Sequence, residues 1–385
     1  DDIVEVKCTH YWKTVYHFLH SQIWKDVKES DERYQSSTSR NVSDTKPSVY
    51  IFVMDSFGSS HARRVFPKTL NFLKKEFGAV EMLHMNKVGE NTRPNGYALL
   101  MGKLINDIRK SMYGLADIPA DLNNNEYCQK HIDHEGFVLE EFSKRGYKTL
   151  MSEDWANGIF NWPDCVGFKK QPTTHYMRPF QLFFDKNHKS LDQYQGIANC
   201  FEPHQFINDY MEKFIKAYPD EPKAVLNWAV TLGHDDANVP FHADGDYLRL
   251  FERNKEEFDK SIVIFMGDHG LRFGKILSTP IGQRDVNNPM LHISVPSKLR
   301  RNEALMRNLK ENSQKLLTMF DLHATILDIA QSFSDPANID FNKARNTENL
   351  KGSSILRPLP AFLRNCKTLP IPLRFCICKI DKNPL

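Results

Sequence analysis

The ten residues Ser261-Ile-Val-Ile-Phe-Met-Gly-Asp-His-Gly270 constrain this chain more than any other stretch. An apolar, β-branched run of that kind reads as a strand buried on both faces, which requires a sheet covered on both sides. Asp268 and His269 then stand at the strand's carboxyl end, where open α/β sheets place their ligands. Gly270 lets the backbone turn, and the two side chains can reach one divalent cation. A second run, Ser48-Val-Tyr-Ile-Phe-Val-Met54, has the same form and ends at Asp55.

Around these runs the chain alternates strand-like and helix-like segments. Helical spacing is read over 66–77, from about Gly96, over 206–218, 247–258 and 318–330. Strands are read near 79–85, 147–151, 224–230 and 290–295. Alternation predicts an α/β/α sandwich: a mostly parallel sheet with helices on both faces. Residues 157–184, rich in aromatics and Pro (Trp162, Tyr176, Phe180), are expected to form an irregular insert and one wall of a pocket. Tyr11, Val15, Phe18, Leu19 and Ile23 recur at helix-like intervals, so an amphipathic helix is expected over Thr9–Trp24. The polar stretch 28–47 is expected to be a linker.

Among 385 residues the net charge is only +3, which gives no reason to expect a nucleic-acid partner. No stretch is long and apolar enough to span a bilayer. The numbering begins at Asp1-Asp2, which fits either a cytosolic chain or one whose signal or membrane anchor precedes residue 1. The seven cysteines favour the second reading. Cys366, Cys376 and Cys378 fall in a short Pro-rich tail that a disulfide would hold down. A zinc site is the weaker reading there, since Cys376-Ile-Cys378 lacks the usual two-residue gap. An odd count leaves one thiol over. Asn41-Val-Ser43 is a glycosylation sequon and fits an extracellular or secretory-lumen location.

Three distant pieces carry the chemistry. Asp55, the pair Asp268 and His269, and Thr92 in a loop before a helix could converge on one zinc or manganese ion. A hydroxyl beside such an ion becomes acidic enough to attack phosphorus. The stretch Thr92-Arg-Pro-Asn-Gly-Tyr-Ala-Leu-Leu-Met-Gly102 resembles the nucleophile segment of the alkaline-phosphatase superfamily, in its phosphodiesterase form. It also resembles the sulfatase signature, in which a Cys stands where Thr92 is. More closely, Lys87-Val-Gly-Glu-Asn-Thr92, Asp268-His-Gly-Leu-Arg272 and Phe320-Asp-Leu-His-Ala-Thr325 resemble an uncharacterised, sulfatase-like animal family, a "domain of unknown function".

The resemblance implies an alkaline-phosphatase-like catalytic domain over 47–335, preceded by an N-terminal helix and linker (1–46) and followed by a packed cysteine-bearing tail (336–385). It implies Asp55, Thr92, Asp268 and His269 as metal ligands, Thr92 as nucleophile and His234 as a second catalytic group. Asn91, Arg93 and Arg272 are expected to bind the transferred group. The expected cofactor is a divalent metal, zinc with manganese as the alternative. A second metal is not secured, because Gly233-His-Asp-Asp236 and Phe241-His242 do not reproduce the phosphodiesterase spacing. The expected substrate is a phosphoester, glycan-linked or lipid-linked. With no Cys at position 92 there is no formylglycine, which argues for phosphoryl transfer over ordinary sulfatase chemistry. The rival readings are a non-catalytic binding protein on the same fold and a sulfatase-like hydrolase working without formylglycine. Plainer roles stand beside these: Asp55 and Thr92 as caps, His323 as a packing or capping residue, and Asp235, Asp236, His242 and Asp244 as solvated loop residues.

Overall fold

Strand β3 (Val49–Met54) is wholly buried, and its residues divide by parity. Val49, Ile51 and Val53 enter one apolar cluster, while Tyr50, Phe52 and Met54 enter another. A two-residue side-chain period does this in any strand covered on both faces. The computed structural model describes residues 1–25, 46–187, 201–333, 339–345 and 349–378. In it β3 is the centre of a seven-stranded sheet. The order is β4 (Val80–Glu81), β10 (Leu291–Ser294), β9 (Ile262–Gly267), β3, β8 (Lys223–Ala229), β6 (Lys148–Glu153) and β7 (His175–Tyr176). From β9 to β7 every pairing is parallel, and only β10 and β4 at one edge run antiparallel to their neighbours.

Helices cover both faces. On one lie α3 (Thr92–Leu100), α4 (Val138–Ser143), α7 (Glu303–Asn312) and α8 (Met319–Ser332), which contribute Leu99, Val138, Leu305 and Ile326 to the first cluster. On the other lie α1 (Ser59–Val65), α2 (Pro67–Glu76), α5 (Pro203–Ala217) and α6 (Asp244–Arg253), which contribute Val65, Leu73, Phe214 and Phe251. The result is the three-layer α/β/α sandwich that the alternation predicts. A short parallel pair, β5 (Met85–Asn86) with β11 (Leu317–Thr318), stands beside the sheet and leads towards Thr92. No helix among the described residues is long and apolar enough to cross a membrane.

The expected helix over Thr9–Trp24 is absent. The chain instead forms an antiparallel hairpin, β1 (Ile3–His10) and β2 (Lys13–Ser21). Tyr11 and Trp12 turn it with φ of 44° and 66°, the positive values that a two-residue hairpin turn requires. Ile3, Val4, Val6, Thr14, Val15, Tyr16 and Phe18 make this segment dense in β-branched and aromatic residues, and that preference outweighs the helix-like spacing. The hairpin docks through buried Leu19 and through Asp2, whose carboxylate takes hydrogen bonds from His175, at 2.6 Å, and from Tyr210. The expected polar linker and the sequon at Asn41 lie outside the described residues, apart from 46 and 47.

The tail is fastened by buried polar contacts. Asp328 of α8 accepts from Arg357 Nε (2.9 Å), Arg345 (2.6 Å) and Ser354 (2.8 Å). Lys110, only 2% exposed, donates its ammonium to the carbonyls of Cys366, Leu369 and Ile371. Cys366 is bonded to Cys376, the disulfide expected of the tail. A second disulfide, Cys128–Cys165, was not foreshadowed by any spacing. Cys8 and Cys378 carry free thiols, and Cys200 lies outside the described residues.

Candidate metal centre

Parallel register brings the two carboxylates together. Met54 pairs with Gly267 across β3 and β9, so Asp55 and Asp268 leave neighbouring strands side by side. Gly267 is needed at that point, since a Cβ there would stand 2.1 Å from the Phe57 carbonyl oxygen. Thr92 arrives from the far side as the first residue of α3, with Asn91 at its N-cap. The helix thus starts at Thr92 itself, a turn earlier than apolar spacing alone suggests.

Asn95 holds the loop that aims Thr92. Fully buried, it accepts from the backbone N–H of Val88 (2.8 Å) and Gly89 (3.1 Å) and donates to the carbonyls of Gly89 and Asn91. The sequence reading assigned it no role, although it lies inside the motif. Two acceptor bonds and two donor bonds within eight residues leave little freedom to the loop. Asn95→Ala is expected to cost about 2–4 kcal/mol, because buried backbone groups lose their partners. Urea unfolding of the variant would measure that loss.

At the centre, Thr92 Oγ1 donates to Asp55 Oδ2 at 2.9 Å and lies 3.4 Å from His269 Nε2. Asp55 Oδ1 accepts from Ser56 Oγ at 2.7 Å. Asp268 Oδ1 accepts from the backbone N–H of Ser56 (3.1 Å) and His269 (2.8 Å). Asp268 Oδ2 is buried and has no hydrogen-bond donor among the described residues. Burial and the Asp268 charge push the Asp55 carboxyl up to about 6, and burial pushes Asp268 up to about 6. Burial holds His269 down at about 4, so its imidazole is neutral. Its Nδ1–H donates to the Gly270 carbonyl at 2.8 Å. The bare Nε2 lone pair therefore faces Asp268 Oδ2 at 3.5 Å and Asp55 Oδ1 at 3.7 Å.

Three acceptors converge with no proton between them, an arrangement that a cation relieves. One ligand atom from each of Asp55, Asp268 and His269 lies within 4.8 Å of the other two. The donor set, two carboxylates and one imidazole, fits zinc or manganese.

The cleft above this centre is lined by Asp55, Asn91, Thr92, Arg93, His234 and Arg272. The residues expected from the sequence to hold metal, bind the transferred group or act in catalysis thus lie on or directly beneath one surface. Arg93 Nε and Arg272 Nε are buried without acceptors among the described residues. α3 has no acidic residue in its first turn, so its positive end faces the cleft uncompensated. His234 Nδ1 is held by Asp235 Oδ1 at 2.6 Å, which leaves Nε2 as the available nitrogen. Trp155 and Trp162 form a wall, 6.1 Å apart between ring centroids. Trp162 lies in the aromatic insert, whereas Trp155 carried no sequence signal. Gly96 lets α3 abut this wall, for a Cβ would meet Ile159 Cδ1 at 1.8 Å.

Other expectations resolve differently. Asp244 is not solvated: it is 5% exposed and accepts from the backbone N–H of Lys68 and Thr69 at the start of α2. His323 packs beneath α3, donating from Nδ1 to the Leu99 carbonyl at 2.9 Å, and takes no part in the centre. Burial pushes His323 down to about 4, against an ordinary value of about 6.5. Between these values the unfolded chain binds the extra proton, so stability rises with pH there. Stability is expected to fall by about 3 kcal/mol from this group as pH drops from 6.5 to 4. His323→Gln should flatten that limb of a stability-against-pH curve.

Comparison with known proteins gives a family and a set of similar structures. The sequence profile of a family described as "Protein of unknown function (DUF229)" matches residues 1–384. No curated protein matches the chain in sequence. Among solved structures, the lipoteichoic acid synthase LtaP from Listeria monocytogenes is 13% identical, with a TM-score of 0.48 over 85% of this chain and 81% of that one. The phosphonate monoester hydrolase SpPMH from Silicibacter pomeroyi is 14% identical, with a TM-score of 0.48 over 74% and 73%. A protein in the alkaline phosphatase superfamily from Vibrio parahaemolyticus is 13% identical, with a TM-score of 0.45 over 74% and 66%.

Proposed function

The chain belongs to the DUF229 family, and from the geometry of its cleft we propose that it is a metal-dependent phosphoester hydrolase or phosphoryl-group transferase with Thr92 as nucleophile. One observation carries this reading. A hydroxyl stands 2.9 Å from a buried carboxylate, with cation-seeking atoms beneath it and two unpaired guanidinium Nε atoms around it. That is what in-line displacement at an anionic phosphorus needs.

Bound by Asp55, Asp268 and His269, a divalent cation would supply acidity to the neighbouring hydroxyl and positive charge to the phosphoryl oxygens. The protein's own groups do the rest. Arg93, Arg272 and the N-terminus of α3 hold the phosphoryl oxygens. Asn95 keeps Thr92 Oγ1 pointed at them. Thr92 Oγ1 loses its proton along its bond to Asp55 and forms a bond to phosphorus, and the ester oxygen leaves. The departing oxygen takes a proton from water, and His234 Nε2, whose lone pair is bare because Nδ1–H is held by Asp235, would take a proton from the water or alcohol that attacks next. Water or an acceptor alcohol then attacks the phosphothreonine, restores the Thr92 hydroxyl and releases the product. Trp155 and Trp162 are the surface against which the rest of the substrate lies.

The test joins metal content to turnover. Elemental analysis of wild type and Asp268→Ala is expected to show about one zinc or manganese fewer in the variant. Wild type should hydrolyse bis(p-nitrophenyl) phosphate and leave p-nitrophenyl sulfate untouched. Equal metal in both proteins with no turnover of either ester would overturn the reading. Turnover of the sulfate alone would replace it with a sulfatase that works without formylglycine.

A further inference from the structure

Away from the metal centre, three sulfur atoms meet in the tail. Those of Cys366, Cys376 and Cys378 all lie within 4.8 Å of one another. Cys366 and Cys376 form the tail disulfide, and Cys378 keeps its thiol. The Cys378 sulfur stands 3.8 Å from that of Cys366. Cys366 is the fixed member of the three. It is 2% exposed, packs with Leu316, Leu369 and Ile371, and has its carbonyl held by Lys110. The backbone is extended at Cys376, with φ of −63° and ψ of 121°. Side chains two residues apart in an extended chain point to the same side. Cys376 and Cys378 are thus both presented to one buried sulfur, with Ile377 between them.

We propose that Cys366 exchanges its disulfide partner between Cys376 and Cys378. Cys378 gives its proton to solvent, and the thiolate attacks the Cys366 sulfur. The Cys378–Cys366 bond forms as the Cys366–Cys376 bond breaks. The electron pair leaves on the Cys376 sulfur, which then takes a proton. No oxidant or reductant is consumed, and the reverse step is the same reaction. Attack runs along the S–S axis, which the partly exposed Cys378 side chain reaches by turning about its Cα–Cβ bond.

The exchange acts on the loop that leads to Thr92. Asn86, fully buried, donates from Nδ2 to the Phe375 carbonyl (2.8 Å) and accepts at Oδ1 from the Ile377 N–H (3.0 Å). The next residue, Lys87, holds its ammonium 4.7 Å from the Phe375 ring centre and donates to the Glu90 carbonyl at 3.2 Å. Moving the anchor from one side of Ile377 to the other pulls on both Asn86 bonds and on that ring. The pairing therefore sets how firmly the tail grips residues 86–92. The exchange itself does not depend on the proposed reaction, because it uses no residue of the cleft.

The test maps thiols and disulfides in the full chain. Undenatured protein is trapped with N-ethylmaleimide, digested at acid pH, where thiolate attack stops, and read by mass spectrometry. Wild type is expected to carry label on both Cys376 and Cys378, with both Cys366 linkages present. In Cys378→Ser, label on Cys376 should fall at least roughly tenfold, since the attacking thiol is gone. Cys376→Ser, produced in the same way, should contain the Cys366–Cys378 bond. Label confined to Cys378 in wild type would overturn the proposal, and so would a folded Cys376→Ser protein whose Cys366 thiol is free. Should that variant not fold, the wild-type labelling decides alone. The two variants also lock the two pairings. Amide hydrogen exchange over 86–92 should be about tenfold faster in Cys376→Ser than in Cys378→Ser, which corresponds to losing roughly one hydrogen bond. Equal exchange in the two would overturn the link to the loop.

Discussion

Thr92→Ala is expected to lower turnover of bis(p-nitrophenyl) phosphate by at least roughly 10³-fold, with metal content unchanged. The size follows from the loss of the only group that would bond to phosphorus. Asp55, Asp268 and His269 should remain in place, and Arg93 and Arg272 should still hold the substrate under the proposed mechanism. Residual catalysis should therefore come from positioning and charge alone. The helix start should survive, because no side-chain cap depends on Thr92. Thr92→Ser is the informative partner. It restores a hydroxyl on a freer χ1, so it should recover most of the lost rate and leave a deficit of about tenfold. Single-turnover kinetics on both variants would show whether the phosphorylated intermediate disappears. An alanine variant that retains wild-type turnover would remove Thr92 as nucleophile and leave water in its place.

Asp328→Ala is expected to cost about 3–5 kcal/mol of folding stability, the largest loss we anticipate away from the cleft. Asp328 is fully buried and gathers Arg357, Arg345, Ser354 and Ser332. Removing it strands the Arg357 guanidinium, whose side chain is only 11% exposed. An uncompensated charge at such a depth costs far more than the ion pair contributes when intact. Because Arg357 and Ser354 belong to the tail, the variant should also release that segment. Urea midpoints would give the energy, and limited proteolysis ahead of Cys366 would report the release. A loss below about 1 kcal/mol would show that the disulfide and Lys110 hold the tail unaided.

Much of the fold was legible because burial on both faces leaves a plain mark. β3 and β9 read as unbroken apolar runs, and the strand–helix alternation follows from covering both sides of a parallel sheet. The hairpin was misread for a physical reason. Its apolar residues suit either a helix stripe or the two faces of a ribbon, and the deciding turn at Tyr11-Trp12 has neither Gly nor Asn to announce it. Asp244 was misjudged because nothing local to it shows that it caps a helix 175 residues away.

The candidate site divides in the same way. Residue type and strand ends pointed to Asp55, Asp268 and His269, and the resemblance carried by the segment 92–102 added Thr92. The sequence could not show that Asp55 and Asp268 emerge level with each other, which the parallel pairing of Met54 with Gly267 decided. Nor could it show that Asn95 ties the loop or that Trp155 joins Trp162. Chemistry that lies within one segment can be read along the chain. Chemistry assembled from several segments depends on register and packing, and these exist only once the sheet has formed.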